Sequence, residues 1–213
     1  MKIIGMIPAR LGSTRVKDKN IRMLGNKPLV QYIVETAKKS KLLNEVYINS
    51  ESEIFKELSK SLNLKFYQRP KILSSNKATN DDFALDFIKN IKCDILIQLL
   101  PTSPFITLEE IDGFISNMIN NNYDTLISTK EIKIEALYDN RPLNFDQKKQ
   151  TPPSQLLEPV KAYACGIMGW KSKNFISNMK KFQAAYHGGD GKIGFYNLKG
   201  LSLIDIDNEE DFK

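Results

Sequence analysis

Through the first two thirds of the chain, short apolar runs alternate with segments whose apolar residues recur every three or four positions. KIIGMI (2–7) reads as a strand, and PLVQYIVETAKKS (28–40) as a helix with Pro28 suited to its first position, where a missing N–H costs nothing. EVYINS (45–50) is the next strand, and ESEIFKELSKSLN (51–63) an amphipathic helix. LKFYQRP (64–70) is a short strand, and NDDFALDFIKNI (80–91) a helix opening on acidic residues. CDILIQLLP (93–101) is so apolar that both its faces are expected to be buried in a sheet. TLEEIDGFISNMINN (107–121) opens with Thr107 and Glu110 in capping-box spacing, and DTLISTKEI (124–132) is a fifth clear strand.

Strands and helices in strict alternation predict an α/β fold, a Rossmann-like, mostly parallel sheet flanked by helices, with ligands at the C-terminal ends of the strands. The alternation breaks after about residue 131. EALYDNRPLNFDQKKQTPPSQLLEP (135–159) is polar, rich in Pro, Asn and Gln, and without a clear period. Its length disfavours an idle loop and favours a functional lid or a subunit-bridging arm. The pattern resumes with KAYACGIMGW (161–170) as a strand, KSKNFISNM (171–179) as a short helix, and two strand-like runs, KIGFYNL (192–198) and LSLIDID (201–207). The expectation is one domain over 1–213, with about 131–165 as an excursion from it.

Composition adds little to this picture. The chain has 213 residues, 41% hydrophobic and 26% charged, ordinary for a globular protein, and long enough to bury roughly 70% of its unfolded surface without a staple. A formal charge of +6 favours anionic partners, from nucleotides and acidic sugars to RNA and acidic lipid. The only cysteines, Cys93 and Cys165, look like small buried residues. The apolar N-terminal run is too short for a signal peptide, and no window approaches the roughly 20 apolar residues of a membrane span. A cytoplasmic protein is expected.

The charge is not spread evenly. IPARLGSTRVKDKN (7–20) follows the first strand and gathers Arg10, Arg15, Lys17 and Lys19 around one acid, Asp18. Neither a P-loop nor a dinucleotide fingerprint is present, yet the loop suits a polyphosphate. Gly12 and Ser13 can turn the backbone and present N–H groups, while Arg10, Arg15 and Lys19 can converge on phosphate oxygens. Lys17 is a weaker candidate that can simply face solvent. At the other end of the chain, LSLIDIDNEEDF would place Asp205 and Asp207 on one face of an extended segment. Two adjacent carboxylates repel unless a cation serves them, and Mg²⁺ (or Mn²⁺) takes one or two carboxylates plus phosphate oxygens and water. The alternative is Asp207 as a helix N-cap with Asp205 solvated. His187, the sole histidine, reads as a mobile loop residue, and Trp170 as core.

Pro8-Ala9-Arg10, followed by Ser13, Lys19 and Asn20, resembles the N-terminal signature of the sugar-acid cytidylyltransferases, the synthetases of CMP-sialic acid, its nonulosonic-acid relatives and CMP-Kdo. Lys19-Asn20 is the sialic-branch ending, whereas Ser13-Thr14-Arg15 is the Kdo-branch form. Arg69-Pro70 and the following SSNKATND resemble the family segment that frames cytosine and ribose, which implies nucleotide roles for Arg69, Ala78 and Thr79. LLPTSPF (99–105) resembles the Gln-Pro-Thr-Ser-Pro-Leu-Arg segment, implying substrate contacts from Thr102 and Ser103. Leu100 stands where that family places Gln, and Phe105 and Ile106 follow Pro104 in place of an Arg. The terminal Asp-x-Asp is also a family ending.

The resemblance implies transfer of CMP from CTP to the anomeric hydroxyl of an acidic sugar. Arg10, Arg15 and Lys19 would hold the β- and γ-phosphates, and Asp205 and Asp207 the metal, with Asp207 and the three cations as the catalytic set. It implies that the excursion is a dimerisation arm reaching the partner's sugar site in a homodimer, with Arg141 and Lys161 as candidates for the sugar carboxylate. CTP and a small acidic sugar are the expected partners, without nucleic acid or membrane. Three alternatives stay open: another nucleotide or sugar, including a Kdo type; a metal-dependent glycosyltransferase; and a relative that binds CTP without turnover. A basic nucleic-acid-binding protein would explain the charge but not the acidic pair.

Overall fold

The computed structural model of the chain describes residues 1–13 and 15–213; Thr14, in the middle of the Kdo-like Ser13-Thr14-Arg15 stretch, lies outside them. The strands are β1 (Ile3–Pro8), β2 (Met23–Leu24), β3 (Lys27–Pro28), β4 (Glu45–Ser50), β5 (Lys65–Gln68), β6 (Ile95–Leu99), β7 (Thr125–Ile132), β8 (Leu137–Tyr138), β9 (Arg141–Pro142), β10 (Val160–Lys171) and β11 (Ile193–Asn197). The helices are α1 (Leu29–Ala37), α2 (Glu53–Ser61), α3 (Asn80–Asn90), α4 (Leu108–Asn120) and α5 (Ser172–Phe182). A seven-stranded sheet runs in the order β11-β7-β10-β6-β1-β4-β5. Its neighbours are parallel except at β10, which runs antiparallel to both β6 and β7.

Alternation along the central strands sorts the core into two layers. Ile3 and Ile7 of β1, with Ile95, Ile97 and Leu99 of β6, pack under α1, α2 and α4. Ile4, Met6 and Leu96 point the other way, against α3, α5 and Trp170. Every residue of β6 is buried, as its apolar run requires. Helix starts follow local chemistry: Thr107 and Glu110 form the expected capping box at α4, and Thr79 and Asp82 form another at α3.

Two expectations are corrected. Pro28 does not open α1. It pairs with Met23 in the small β2–β3 hairpin, and that pairing keeps it extended, one residue before the helix. LSLIDID is not a strand. Gly200–Leu203 coils into a 3-10 turn, and the extended residues that follow pair with no strand; Ile206 N–H donates instead to the Thr102 carbonyl at 2.8 Å. The alternation is present, but among the described residues no sheet edge is offered to it.

The excursion grows from the sheet itself. β7 and β10 continue past the end of β6, with Thr129–Ile132 pairing Tyr163–Val160. Between Tyr163 and Met168 the register shifts, so that on the β7 side residues 164–167 of β10 stand opposite Ser128, while Ile167 still pairs with Leu99 of β6. Beyond lie the β8–β9 hairpin and a 3-10 turn at Ser154–Leu156. Ile134, Leu137, Tyr138, Leu143 and Leu156 are all exposed on this extension.

Candidate active site

The C-terminal ends of β1, β5 and β6 open onto a cleft of ≈ 420 Å³, where open parallel sheets bind their ligands. Pro8, Arg10, Ser13, Arg15, Lys19 and Asn20 line it from the basic loop. The loop is built to hold its shape: Ala9 N–H donates to the Asn49 carbonyl at 3.0 Å, and Asn20 Nδ2 to the Arg10 carbonyl at 3.2 Å. Arg10 donates to the Ser74 carbonyl and Asn76 Oδ1, at 3.2 and 3.0 Å, both neutral acceptors.

Facing this loop are the two carboxylates. Asp205 and Asp207 both line the cleft, on either side of the buried Ile206. Lys19 Nζ donates to the Ile206 carbonyl at 2.7 Å and to Asp207 Oδ1 at 3.0 Å, and Arg15 lies 3.0 Å from the same oxygen. Burial works to raise the Asp207 pKa, but Lys19 and Arg15 outweigh it and bring the group below its ordinary value. Asp205 moves the other way. It keeps contact with solvent at the cleft mouth, yet the crowding walls desolvate it and raise its pKa, against a hydrogen bond from Thr102 and with the Asp207 charge adding to the rise. Lys19 is 8% exposed, so its position is fixed by the segment it holds, whereas Arg15 is largely in solvent.

The inner end of the cleft is set by Arg69, Phe83, Leu100, Pro101, Thr102, Cys165 and Tyr186. Arg69 is buried; its Nε donates to Asn49 Oδ1 at 2.8 Å and its NH2 to the Asn49 carbonyl at 2.6 Å. Burial lowers its pKa to about 10, against the favourable charge of Glu51. Phe83 lies under the guanidinium, 4.5 Å from its ring centre. Tyr186 is fixed by Asp81 at the start of α3, whose Oδ1 accepts the N–H groups of Ala185 and Tyr186.

Cys165 departs from the expected small core residue. It is half-buried, lines the cleft, sits at φ +55° within the β10 irregularity, and lies 3.6 Å from the Tyr186 hydroxyl. Next to it, a Cβ on Gly166 would meet Ser103 of the LLPTSPF loop at 3.0 Å (Oγ) and 3.1 Å (Cβ), so glycine here lets that loop pack close. Cys93 is half-buried too, against Ser172. Trp170 is core as expected, 1% exposed. His187 packs against Tyr163 and Tyr186.

The remaining candidates are not brought into the cleft lining. Ala9 and Ser103 are buried beneath it, while Gly12, at φ +80°, turns the loop. Thr79 spends its hydroxyl on capping α3, with Ala78 just before it. Arg141 is exposed on β9, and Lys161 lies 3.7 Å from Glu131 on the β7–β10 extension. Phe83 and Tyr186 line the cleft but belong to none of the motifs in the sequence. Phe83 is one turn into a helix whose start was legible, so helical spacing from Thr79 was the available signal; Tyr186 had none.

A family model for cytidylyltransferases matches residues 4–157. An N-acylneuraminate cytidylyltransferase of Escherichia coli O18:K1:H7 is 37% identical across 100% of this chain and 51% of its own length. A 3-deoxy-manno-octulosonate cytidylyltransferase of Bdellovibrio bacteriovorus is 38% identical over 53% of this chain and 44% of its own length. The chain thus spans about half the length of these curated relatives. Among solved structures, a CMP:2-keto-3-deoxy-manno-octonic acid synthetase complexed with CTP superposes with a TM-score of 0.75 at 15% identity, covering 99% of this chain and 95% of that one. The sheet order, the cleft at its C-terminal edge and the family match over most of the sequence lead to one conclusion: this chain belongs to the cytidylyltransferase family.

Proposed function

We propose that the chain transfers CMP from CTP to the anomeric hydroxyl of an acidic sugar, of the sialic or nonulosonic type or the related Kdo type, releasing pyrophosphate. One observation carries the reading: Arg10, Arg15 and Lys19 of the basic loop and the Asp205–Asp207 pair meet in a single cleft, in a member of this family. The E. coli and Bdellovibrio relatives are named for two different sugar acids, and the mixed loop signature agrees with both.

In this reading the hydroxyl oxygen attacks the α-phosphorus, its proton passes to water, and the bond from that phosphorus to the bridging oxygen of the β-phosphate breaks with its electron pair leaving on pyrophosphate. Arg10 and Arg15 take the β- and γ-phosphates and neutralise charge on the leaving pyrophosphate. Both are suited to this: among the described residues Arg10 donates to neutral acceptors, and Arg15 is solvent-exposed, so each can exchange its present partner for phosphate. Lys19 adds charge at the same end while holding Asp207 in place. Arg69, Phe83 and the turn before α3 frame the nucleoside, and the acceptor lies toward Thr102, Leu100 and Tyr186.

Asp205 and Asp207 fit a divalent cation. Both Asp207 contacts fall on Oδ1, and among the described residues no group of three or more His, Cys, Asp or Glu side chains could hold a metal alone. An ion here would depend on substrate phosphate oxygens and water, as Mg²⁺ does in nucleotide sites. Bound there, Mg²⁺ supplies charge neutralisation at the α-phosphate and acidifies the attacking hydroxyl.

The chain is a single domain in this reading. Its β8–β9 extension, with Ile134, Leu137, Tyr138 and Leu143 exposed, is the homodimer arm, and Arg141 and Lys161 reach the partner's sugar. The test is pyrophosphate release with CTP and Mg²⁺ against N-acetylneuraminate, legionaminate, pseudaminate and Kdo, with UTP, ATP and GTP alongside. Release that depends on CTP and on one sugar acid supports the proposal and names the acceptor. Equal release with another nucleotide, or CTP hydrolysis indifferent to the sugar, contradicts it.

A further inference from the structure

The catalytic reading gives no work to Glu51, which follows β4 directly and does not line the cleft. Its carboxylate is divided between two loops. Oε1 accepts the Leu11 N–H at 3.0 Å, inside the basic loop. Oε2 accepts from the Ser74 hydroxyl at 2.7 Å, in the turn that follows Arg69-Pro70. Its backbone carbonyl accepts from Gln68 Nε2 at 3.0 Å, which ties Glu51 itself to the end of β5.

The same two loops are also joined by Arg10, through its bonds to Ser74 and Asn76. A triphosphate is a far stronger acceptor for a guanidinium than a carbonyl or an amide. When Arg10 turns to phosphate, that tie is given up and the Glu51 bridge is left to hold the loops together. We infer that Glu51 is a positioning residue that fixes the basic loop against the 71–76 turn, matching the phosphate end of the cleft to its nucleoside end before CTP arrives. Preorganisation of this kind raises affinity by removing an ordering cost from binding. The inference rests on the CTP reading above.

The experiment measures equilibrium binding of CTP and of inorganic triphosphate to the wild type, Glu51→Ala and Glu51→Gln, with thermal melting of each. Glu51→Ala is expected to weaken CTP binding about tenfold, the worth of one ordinary hydrogen bond, with triphosphate binding little changed. Glu51→Gln should restore CTP binding, because its Oε1 can still accept from Leu11 and its amide can donate to the Ser74 hydroxyl. Equal losses of CTP and triphosphate in Glu51→Ala would overturn the inference, since the damage would be local to the loop. Unchanged CTP binding would overturn it too. So would a Glu51→Gln variant as weak as Glu51→Ala, because charge rather than the bridge would then matter. A wild type that binds no CTP would remove the functional reading and this inference with it.

Discussion

The two edges of the sheet treat charge in opposite ways. At the N-terminal edge, Lys2 and Lys65 share Glu45, Lys171 pairs with Asp124, and the Lys2 N–H is taken by Asp94. At the C-terminal edge, Arg10 donates to neutral oxygens, Arg69 is buried with its hydrogen bonds on the neutral oxygens of Asn49, and Asp205 sits beside Asp207 with its pKa raised. The first arrangement satisfies itself. The second leaves positive charge and carboxylates incompletely matched around a cleft, which is the signature of a site waiting for ligand charge. Strand direction explains the division: parallel strands send their C-terminal loops to one edge, so that edge collects function and the other only has to be closed.

The largest effect should come from the site edge. Asp207→Asn is expected to lower CTP-dependent pyrophosphate release about a hundredfold or more, by removing half of the proposed metal pair; near-normal turnover would take Asp207 out of the catalytic set. Next comes Arg69→Ala, which strands the buried Asn49 side-chain oxygen and leaves the Asn49 carbonyl with the Ala9 N–H as its remaining donor. Urea unfolding should show a loss on the order of 3 kcal/mol, and a loss too small to resolve would mean that water replaces the guanidinium. The smallest effect belongs to the self-satisfied edge. Glu45→Gln should cost about 0.5 kcal/mol at neutral pH, as partly exposed ion pairs do.

That last variant also carries a pH signature. The hydrogen bond from Lys65, then those from Lys2 and Tyr47, bring Glu45 from 4.5 down to about 2 against the effect of burial. A depressed folded-state pKa gives stability that is present above about 4.5 and lost as pH falls toward about 2. Acid titration of wild type against Glu45→Gln should therefore converge over that window, and parallel curves would show that the pair is not formed in solution.

Much of the fold was legible because its signals are local. β1, β4 and β6 are short apolar runs, and the capping residues at α4 announce their helix. The basic loop and the Asp205–Asp207 pair were legible as chemistry, since clustered charge needs a partner wherever it folds. What could not be read depends on tertiary approach. LSLIDID alternates like a strand, and only the absence of a neighbouring strand along it leaves it as a tether on Thr102. Cys165 lies in an apolar run, yet the register shift between β7 and β10 turns it into the cleft at positive φ. Lys19 reads as a loop cation, and only its burial shows that it also holds the carboxylate segment. Tyr186 reaches the cleft because Asp81, far away in sequence, grips its backbone.

The most direct test of the account is equilibrium binding of CTP, with and without Mg²⁺, to the wild type and to the Asp205→Asn, Asp207→Asn double variant. The account predicts that Mg²⁺ tightens CTP binding to the wild type and leaves the double variant indifferent. No CTP binding by the wild type, or a Mg²⁺ effect that survives loss of both carboxylates, would contradict it.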